Sequence, residues 1–244
     1  MSRGAGFRSL VSWPAVLVAG SIPLSYFLQA QVPDQESLWR SYGLVPREVT
    51  GGSWSGLLTS LTVHGGWIHA GVNGVLALVC GAIAARPFGR VLPRAAAFLV
   101  FYIVCGVAAG LAYVLANREA PTVVIGASGA VSGLYGAALR LWRWPDRGVA
   151  PVLSAAVVAG AAAFAVINVM LAPGAVVEGG STPIAWQEHI AGFLAGVLLI
   201  GPWVRMFGLR PRGAESAQPA EPEPASEPVF ESGGEPRPLE DAPN

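Results

Sequence analysis

Lysine is absent from this 244-residue chain, and charge of either sign is scarce. Charged residues make up 12% of the sequence, against about 25% in an ordinary water-soluble domain. So few charges cannot coat a globular surface, which excludes the soluble classes. There are only two cysteines, Cys80 and Cys105, both in apolar stretches and without a CxxC spacing. That excludes a disulfide framework and leaves them as small packing hydrophobes. Histidine is limited to His64, His69 and His189, no HExxH occurs, and no aspartate lies in an apolar segment to orient a ligand. A metal centre is therefore not expected, nor any other cofactor. No glycine-rich phosphate loop or basic nucleic-acid patch occurs, so nucleic acid is not an expected partner.

Apolar side chains are what the chain has in plenty, at 53%. They form runs of helical length at about 10–30, 60–85, 92–116, 127–143, 149–172 and 186–207. A spanning helix needs about 20 residues. Five runs reach that length easily, the fourth is short, and six spans are the simplest count. The expected fold class is an all-α membrane protein, a six-helix bundle in a lipid bilayer.

All fifteen basic residues are Arg, and their placement predicts orientation. Arg3 and Arg8 precede the first span, and Arg86, Arg90 and Arg94 follow the second. Arg140, Arg143 and Arg147 follow the fourth, and Arg205, Arg210 and Arg212 follow the sixth. Only Arg40, Arg47 and Arg118 fall on the opposite face. Both termini are thus expected in the cytosol of a multi-pass cell-membrane protein. The expected organisation is a cytosolic N-terminus over 1–9, a membrane domain over 10–210 with an external loop at 31–58, and a tail over 211–244. The first span is long and lacks a clear small-residue cleavage site, which argues against a signal peptide. The tail is rich in Glu, Pro, Ser and Ala and is expected to be disordered. The external loop carries Trp39, Tyr42 and Trp54, and such aromatics anchor at membrane interfaces.

Polar side chains inside the apolar runs are costly and usually functional. Ser128 stands in Gly126-Ala-Ser-Gly129, and His189 begins a run containing Gly192 and Gly196. Counting back from the cytosolic arginines at ~1.5 Å per residue puts Ser128 about 22 Å and His189 about 24 Å above them. The same count puts Asn73 at about 20 Å and His69 at about 26 Å. Four polar side chains from three helices reach a similar level, near the outer surface of a ~30 Å hydrocarbon core.

If the fourth helix starts near Ser128, residues 119–127 must enter the membrane as non-helical chain. Such backbone is tolerated only where protein buries it or water bathes it. The helix N-terminus then favours developing negative charge at Ser128. Gly129 and Gly133 on the fourth span, and Gly192 and Gly196 on the sixth, are each four apart. Small-xxx-small faces allow backbone-to-backbone packing, which would bring the serine hydroxyl to the imidazole, the arrangement of an activated nucleophile. The bland alternative is glycine packing with polar bystanders. His69 and Asn73 share a helix face and are candidate donors to an oxyanion, or else interhelical glue. His64 is separated from them by Gly65-Gly66. No acid is placed to complete a triad, since Asp146 is on the wrong face and Glu188 adjoins the histidine. A Ser–His dyad is the economical reading.

These motifs resemble those of the rhomboid intramembrane serine proteases. Gly126-Ala-Ser-Gly129 is similar to the family's G-x-S-G. The run from His189 through Gly192 to Gly196 matches H-x-x-G-x-x-x-G. His64, His69 and Asn73 match H-x4-H-x3-N, and Trp39-Arg40 resembles its W-R pair. The resemblance implies a six-helix bundle that cleaves transmembrane protein substrates near the outer face. It implies Ser128 as nucleophile, His189 as base, His69, Asn73 and the Ser128 N–H as oxyanion donors, and His64 in a supporting polar role. It also implies a mobile gate formed by the fifth span and the loop before Trp186. Two positions depart from the pattern. Ser132 stands where some members carry a tyrosine stacked on the base, and Glu188 stands where a small residue is common. A non-proteolytic rhomboid-like protein that binds transmembrane clients is the main alternative, and a transporter or channel is a second.

Overall fold

The computed structural model describes residues 12–171 and 185–210, and within them the regular structure is helical. The expectations for residues 1–9, for the tail and for the loop before Trp186 fall outside the described residues. In chain order the helices are α1 (Trp13–Gln29), α2 (Gln35–Tyr42), α3 (Pro46–Thr50), α4 (Gly56–Thr59), α5 (Trp67–Ala84), α6 (Leu92–Ala116), α7 (Ser128–Leu141), α8 (Ala155–Leu171) and α9 (Trp186–Phe207). Among the described residues, α5, α6 and α9 are long and apolar enough to cross a membrane. The apolar helices α1, α7 and α8 are shorter, at 17, 14 and 17 residues.

The expected boundaries shift in two places. The second apolar run does not begin its helix near residue 60. A 3-10 turn occupies Ser60–Thr62, and α5 starts at Trp67 after Gly66. His64 therefore lies outside the helix, because the Gly65-Gly66 pair has the least helical preference of any residues there. In the fifth run the helix starts at Ala155 rather than near 149, after Pro151. The external segment is also more ordered than a loop. Asp34 caps α2 by accepting from the Ser37 N–H at 3.0 Å, and Pro46 opens α3, where its missing N–H is harmless.

Small residues decide how the bundle closes. On α5 the buried positions are Ala70, Asn73, Gly74, Ala77, Cys80, Gly81 and Ala84, a stripe at three- and four-residue spacing. Pro23 inside α1 removes the helical donor that would have met the Ala19 carbonyl. That carbonyl faces Gly74, where an added Cβ would lie 3.2 Å from it. The missing side chain lets α5 cover the gap. Central α7 is buried at eleven of its fourteen positions. Its buried polar side chains find main-chain partners, Ser132 at the Ser128 carbonyl and Arg140 at the Ala150 and Val197 carbonyls.

The chain entering α7 descends without helical hydrogen bonds, as expected from the short fourth run. Its backbone groups find partners elsewhere. Leu44 and Val124 exchange both bonds in an isolated antiparallel bridge (2.8 and 2.9 Å), and the Gly126 N–H donates to the Ser60 carbonyl at 2.9 Å. This is the protein-buried alternative that apolar surroundings demand.

Candidate active site

Ser128 is the first residue of α7. Its position is set by Gly126 and Ala127. Gly126 has φ +118°, and an added Cβ there would lie 2.7 Å from His69 Nε2. A side chain is thus excluded twice, by backbone conformation and by the imidazole. The Ala127 N–H donates to His64 Nε2 at 3.2 Å. His64 is itself fully buried and fixed by Gln29 at the end of α1. Gln29 Oε1 accepts from the His64 N–H at 2.9 Å, and Gln29 Nε2 donates to the His64 carbonyl at 2.6 Å.

His189, in the first turn and a half of α9, meets Ser128 directly. Its Nε2 lies 2.8 Å from Ser128 Oγ. The approach depends on the α7–α9 seam. A Cβ at Gly192 would overlap the Gly129 carbonyl, and one at Gly196 would overlap the Gly133 carbonyl. Gly136 continues the seam against the Phe193 carbonyl. That third glycine escaped the sequence reading, although it lies three residues beyond Gly133.

The neighbouring helix α5 carries His69 and Asn73. The Gly65 N–H donates to His69 Nδ1 at 3.3 Å. A neutral imidazole carries one ring proton, so His69 carries it on Nε2, the atom that faces Gly126. Asn73 is buried and donates one amide N–H to the His69 carbonyl at 3.0 Å. Its amide has a second N–H. The first-turn N–H groups of α7 have no helical acceptor either.

The two departures from the motif pattern have distinct geometries. Ser132 turns back into its own helix and donates to the Ser128 carbonyl at 2.7 Å. It does not cover His189. Glu188 is 2% exposed and packs against Gly129, where an added Cβ would lie 3.0 Å from its Oε1.

On the other side of His189 stands a residue that sequence reasoning missed. Asn168 of α8 is buried, and its Oδ1 lies 2.7 Å from His189 Nδ1. A signal was available. Asn168 is the sole hydrogen-bonding side chain in α8, the same kind of isolated polar residue that drew attention to Ser128. Deeper in the bundle, Tyr135, Phe164 and Phe193 pack as a trio with ring centroids 5.2–5.7 Å apart. They lie one or two turns inward from Ser128, Asn168 and His189, forming an apolar floor. Among the described residues no three His, Cys, Asp or Glu side chains gather as a metal cluster.

Ser128, His189, His69 and His64 are thus brought together from four parts of the chain, and Asn73 is tied to them through the His69 carbonyl. Comparison with known proteins finds no curated relative that matches. The family model for the Rhomboid domain matches residues 51–205, well over half of the chain and the whole of this site. With the match spanning α4 through most of α9, the chain belongs to the rhomboid family.

Proposed function

We propose that this protein is an intramembrane serine endopeptidase that cleaves transmembrane proteins near the outer face of the membrane. The observation that carries the reading is the 2.8 Å contact between Ser128 Oγ and His189 Nε2. It occurs among apolar helices whose outward faces expose Val75, Leu198 and Met170, an arrangement suited to lipid. In this reading α1 and α5 to α9 cross the bilayer, and both termini lie in the cytosol. Residues 1–9 and 211–244 flank the membrane domain on that side.

Ser128 Oγ attacks the scissile carbonyl carbon while His189 Nε2 takes its proton. The resulting oxyanion receives hydrogen bonds from His69 Nε2–H, an Asn73 amide N–H and the Ser128 main-chain N–H. Collapse of the tetrahedral intermediate breaks the C–N bond, and the imidazolium gives its proton to the leaving amine. Water, deprotonated by the same histidine, then releases the acyl group and restores Ser128. His64 holds Ala127 so that the serine stays at the mouth of α7. A substrate helix must unwind locally to expose its peptide bond, which favours substrates with small or helix-destabilising residues near the cut.

The test is fluorophosphonate labelling of wild type, Ser128→Ala and His189→Ala in proteoliposomes, with cleavage of a reconstituted transmembrane substrate. Wild type labels and cleaves. Each substitution lowers both by about a thousandfold or more, as loss of either member of a nucleophile–base pair does. Equal labelling of all three proteins would overturn the reading, as would a wild type that neither labels nor cleaves.

A further inference from the structure

Helix α8 is the most lipid-like element of the bundle. Ile167, Val169 and Met170 are each more than half exposed, yet Asn168 among them is 6% exposed. Both ends of its carboxamide are engaged. Nδ2 donates to the Phe164 carbonyl at 2.8 Å, and Oδ1 lies 2.7 Å from His189 Nδ1.

These contacts order the protons of a neutral His189. A main-chain carbonyl only accepts, so the amide NH2 occupies the Phe164 side and the amide oxygen the His189 side. That oxygen also only accepts, so Nδ1 of His189 must carry a proton. A neutral imidazole has one. Nε2 therefore presents its lone pair to Ser128 Oγ, and the serine hydroxyl donates to it. The opposite tautomer would leave the histidine unable to act as base.

We propose that Asn168 is the positioning residue for His189, holding the imidazole in its Nδ1–H form through a chain from the Phe164 carbonyl to Ser128. The proposal rests on the serine-protease reading for its catalytic consequence. An amide does this without placing a carboxylate among apolar helices, where an unpaired charge is costly. When the imidazole becomes cationic during reaction, the Nδ1–H bond to Oδ1 becomes charge-assisted and stronger. The base is thereby tied to α8 as well as to α7.

The experiment uses the full-length protein in proteoliposomes with Asn168→Leu, similar in size but unable to hydrogen-bond, and Asn168→Asp, which keeps the accepting oxygen. Asn168→Leu is expected to slow fluorophosphonate labelling and kcat by about ten- to a hundredfold, by analogy with loss of the outer-shell partner of a metal-ligating histidine, with little change in KM. Asn168→Asp is expected to regain most of the rate, and the acid limb of its pH–rate profile moves to higher pH because a carboxylate favours the imidazolium. His69 from α5 faces His189, Glu188 adjoins it in sequence on α9, and both variants leave these titratable groups in place. Nitrogen-15 spectra of the imidazoles supply a readout independent of turnover. Wild type shows the Nδ1–H form at His189, and Asn168→Leu shows loss of that preference. A residue that merely glues α8 to the bundle would change protein yield or KM and leave the labelling rate per folded molecule, the pH profile and the tautomer as in wild type. That result overturns the proposal. Failure of wild type to label strikes the protease reading instead, while the spectra still decide the Asn168 chain.

Discussion

The two walls around His189 are built by opposite means. Between α7 and α9 the contact is backbone on backbone, with Gly192 against Gly129 and Gly196 against Gly133. On the other side, α8 meets the bundle through side chains. Phe164 packs with Tyr135 and Phe193, Val157 is buried, and Asn168 reaches His189. Its remaining surface is largely exposed. The difference separates two requirements of one site. Ser128 and His189 are fixed to each other by a seam that has no rotamers to adjust. The other ring nitrogen of His189 is met by a helix whose hold on the bundle rests on a few side chains.

Breaking the rigid wall should have the largest effect. In Gly196→Ala the new methyl group overlaps the Gly133 carbonyl, a main-chain atom that cannot rotate away. Overpacking typically costs 1–3 kcal/mol, and the lack of any relaxing side chain puts this case at about 3 kcal/mol or beyond. The better helix propensity of alanine returns at most about 1 kcal/mol. The expected outcome is a marked fall in unfolding temperature in detergent and loss of fluorophosphonate labelling together. A Gly196→Ala protein with wild-type stability and labelling would mean that the seam is not the rigid element.

Loosening the other wall should separate those two readouts. Phe164→Ala removes two ring pairs, each worth about 0.5–1.5 kcal/mol beyond burial. Phe164 is only partly buried and its surroundings are apolar, so the packing term dominates and about 1–3 kcal/mol of α8 docking is lost. Faster hydrogen exchange is expected in α8, with α7 and α9 still protected. Labelling should fall less than in Asn168→Leu, because Asn168 can still reach His189 in the docked fraction. Equal loss of protection in all three helices would show that α8 is not a separately mobile wall.

The rigid wall was more legible in the sequence than the adjustable one, for physical reasons. Backbone contact requires glycine, and glycine at four-residue spacing is visible as letters. Ser128 and His189 likewise stand out because polar groups are rare in apolar runs. Side-chain packing of apolar residues leaves no such mark, since Phe164 reads the same whether it faces a ring or a lipid tail. Asn168 did carry a mark, but its use depended on which face of α8 turned inward, and a helix apolar all round shows no face. The direction of Glu188 was hidden for a similar reason. Adjacency to His189 in sequence means a turn of about 100° on the helix, which points it at Gly129 instead of the imidazole. The short helices between α1 and α5 were missed because capping and proline contacts built them, without an apolar period.

A matched substitution on α8 sharpens the contrast with the smallest change. Gly160 is also a helical glycine in contact with α7, so Gly160→Ala makes the same chemical change as Gly196→Ala. What the methyl group meets is different. At Gly160 it overlaps Leu139 Cδ1 and approaches Tyr135 Oη at 3.2 Å, both at the far ends of side chains. A leucine can change rotamer at about 0.5–1.5 kcal/mol when pushed off a staggered well, and less when a second well is open. Against this stands a gain of about 1 kcal/mol from replacing glycine inside a helix. The two nearly cancel, so unfolding temperature and labelling rate are expected to stay close to wild type. The Tyr135 hydroxyl, 3.4 Å from the Gly160 carbonyl, makes a bond too long to alter that balance. If Gly160→Ala were as damaging as Gly196→Ala, side-chain contacts would be as unyielding as backbone contacts here. The division of the site into a fixed seam and an adjustable wall would then fail.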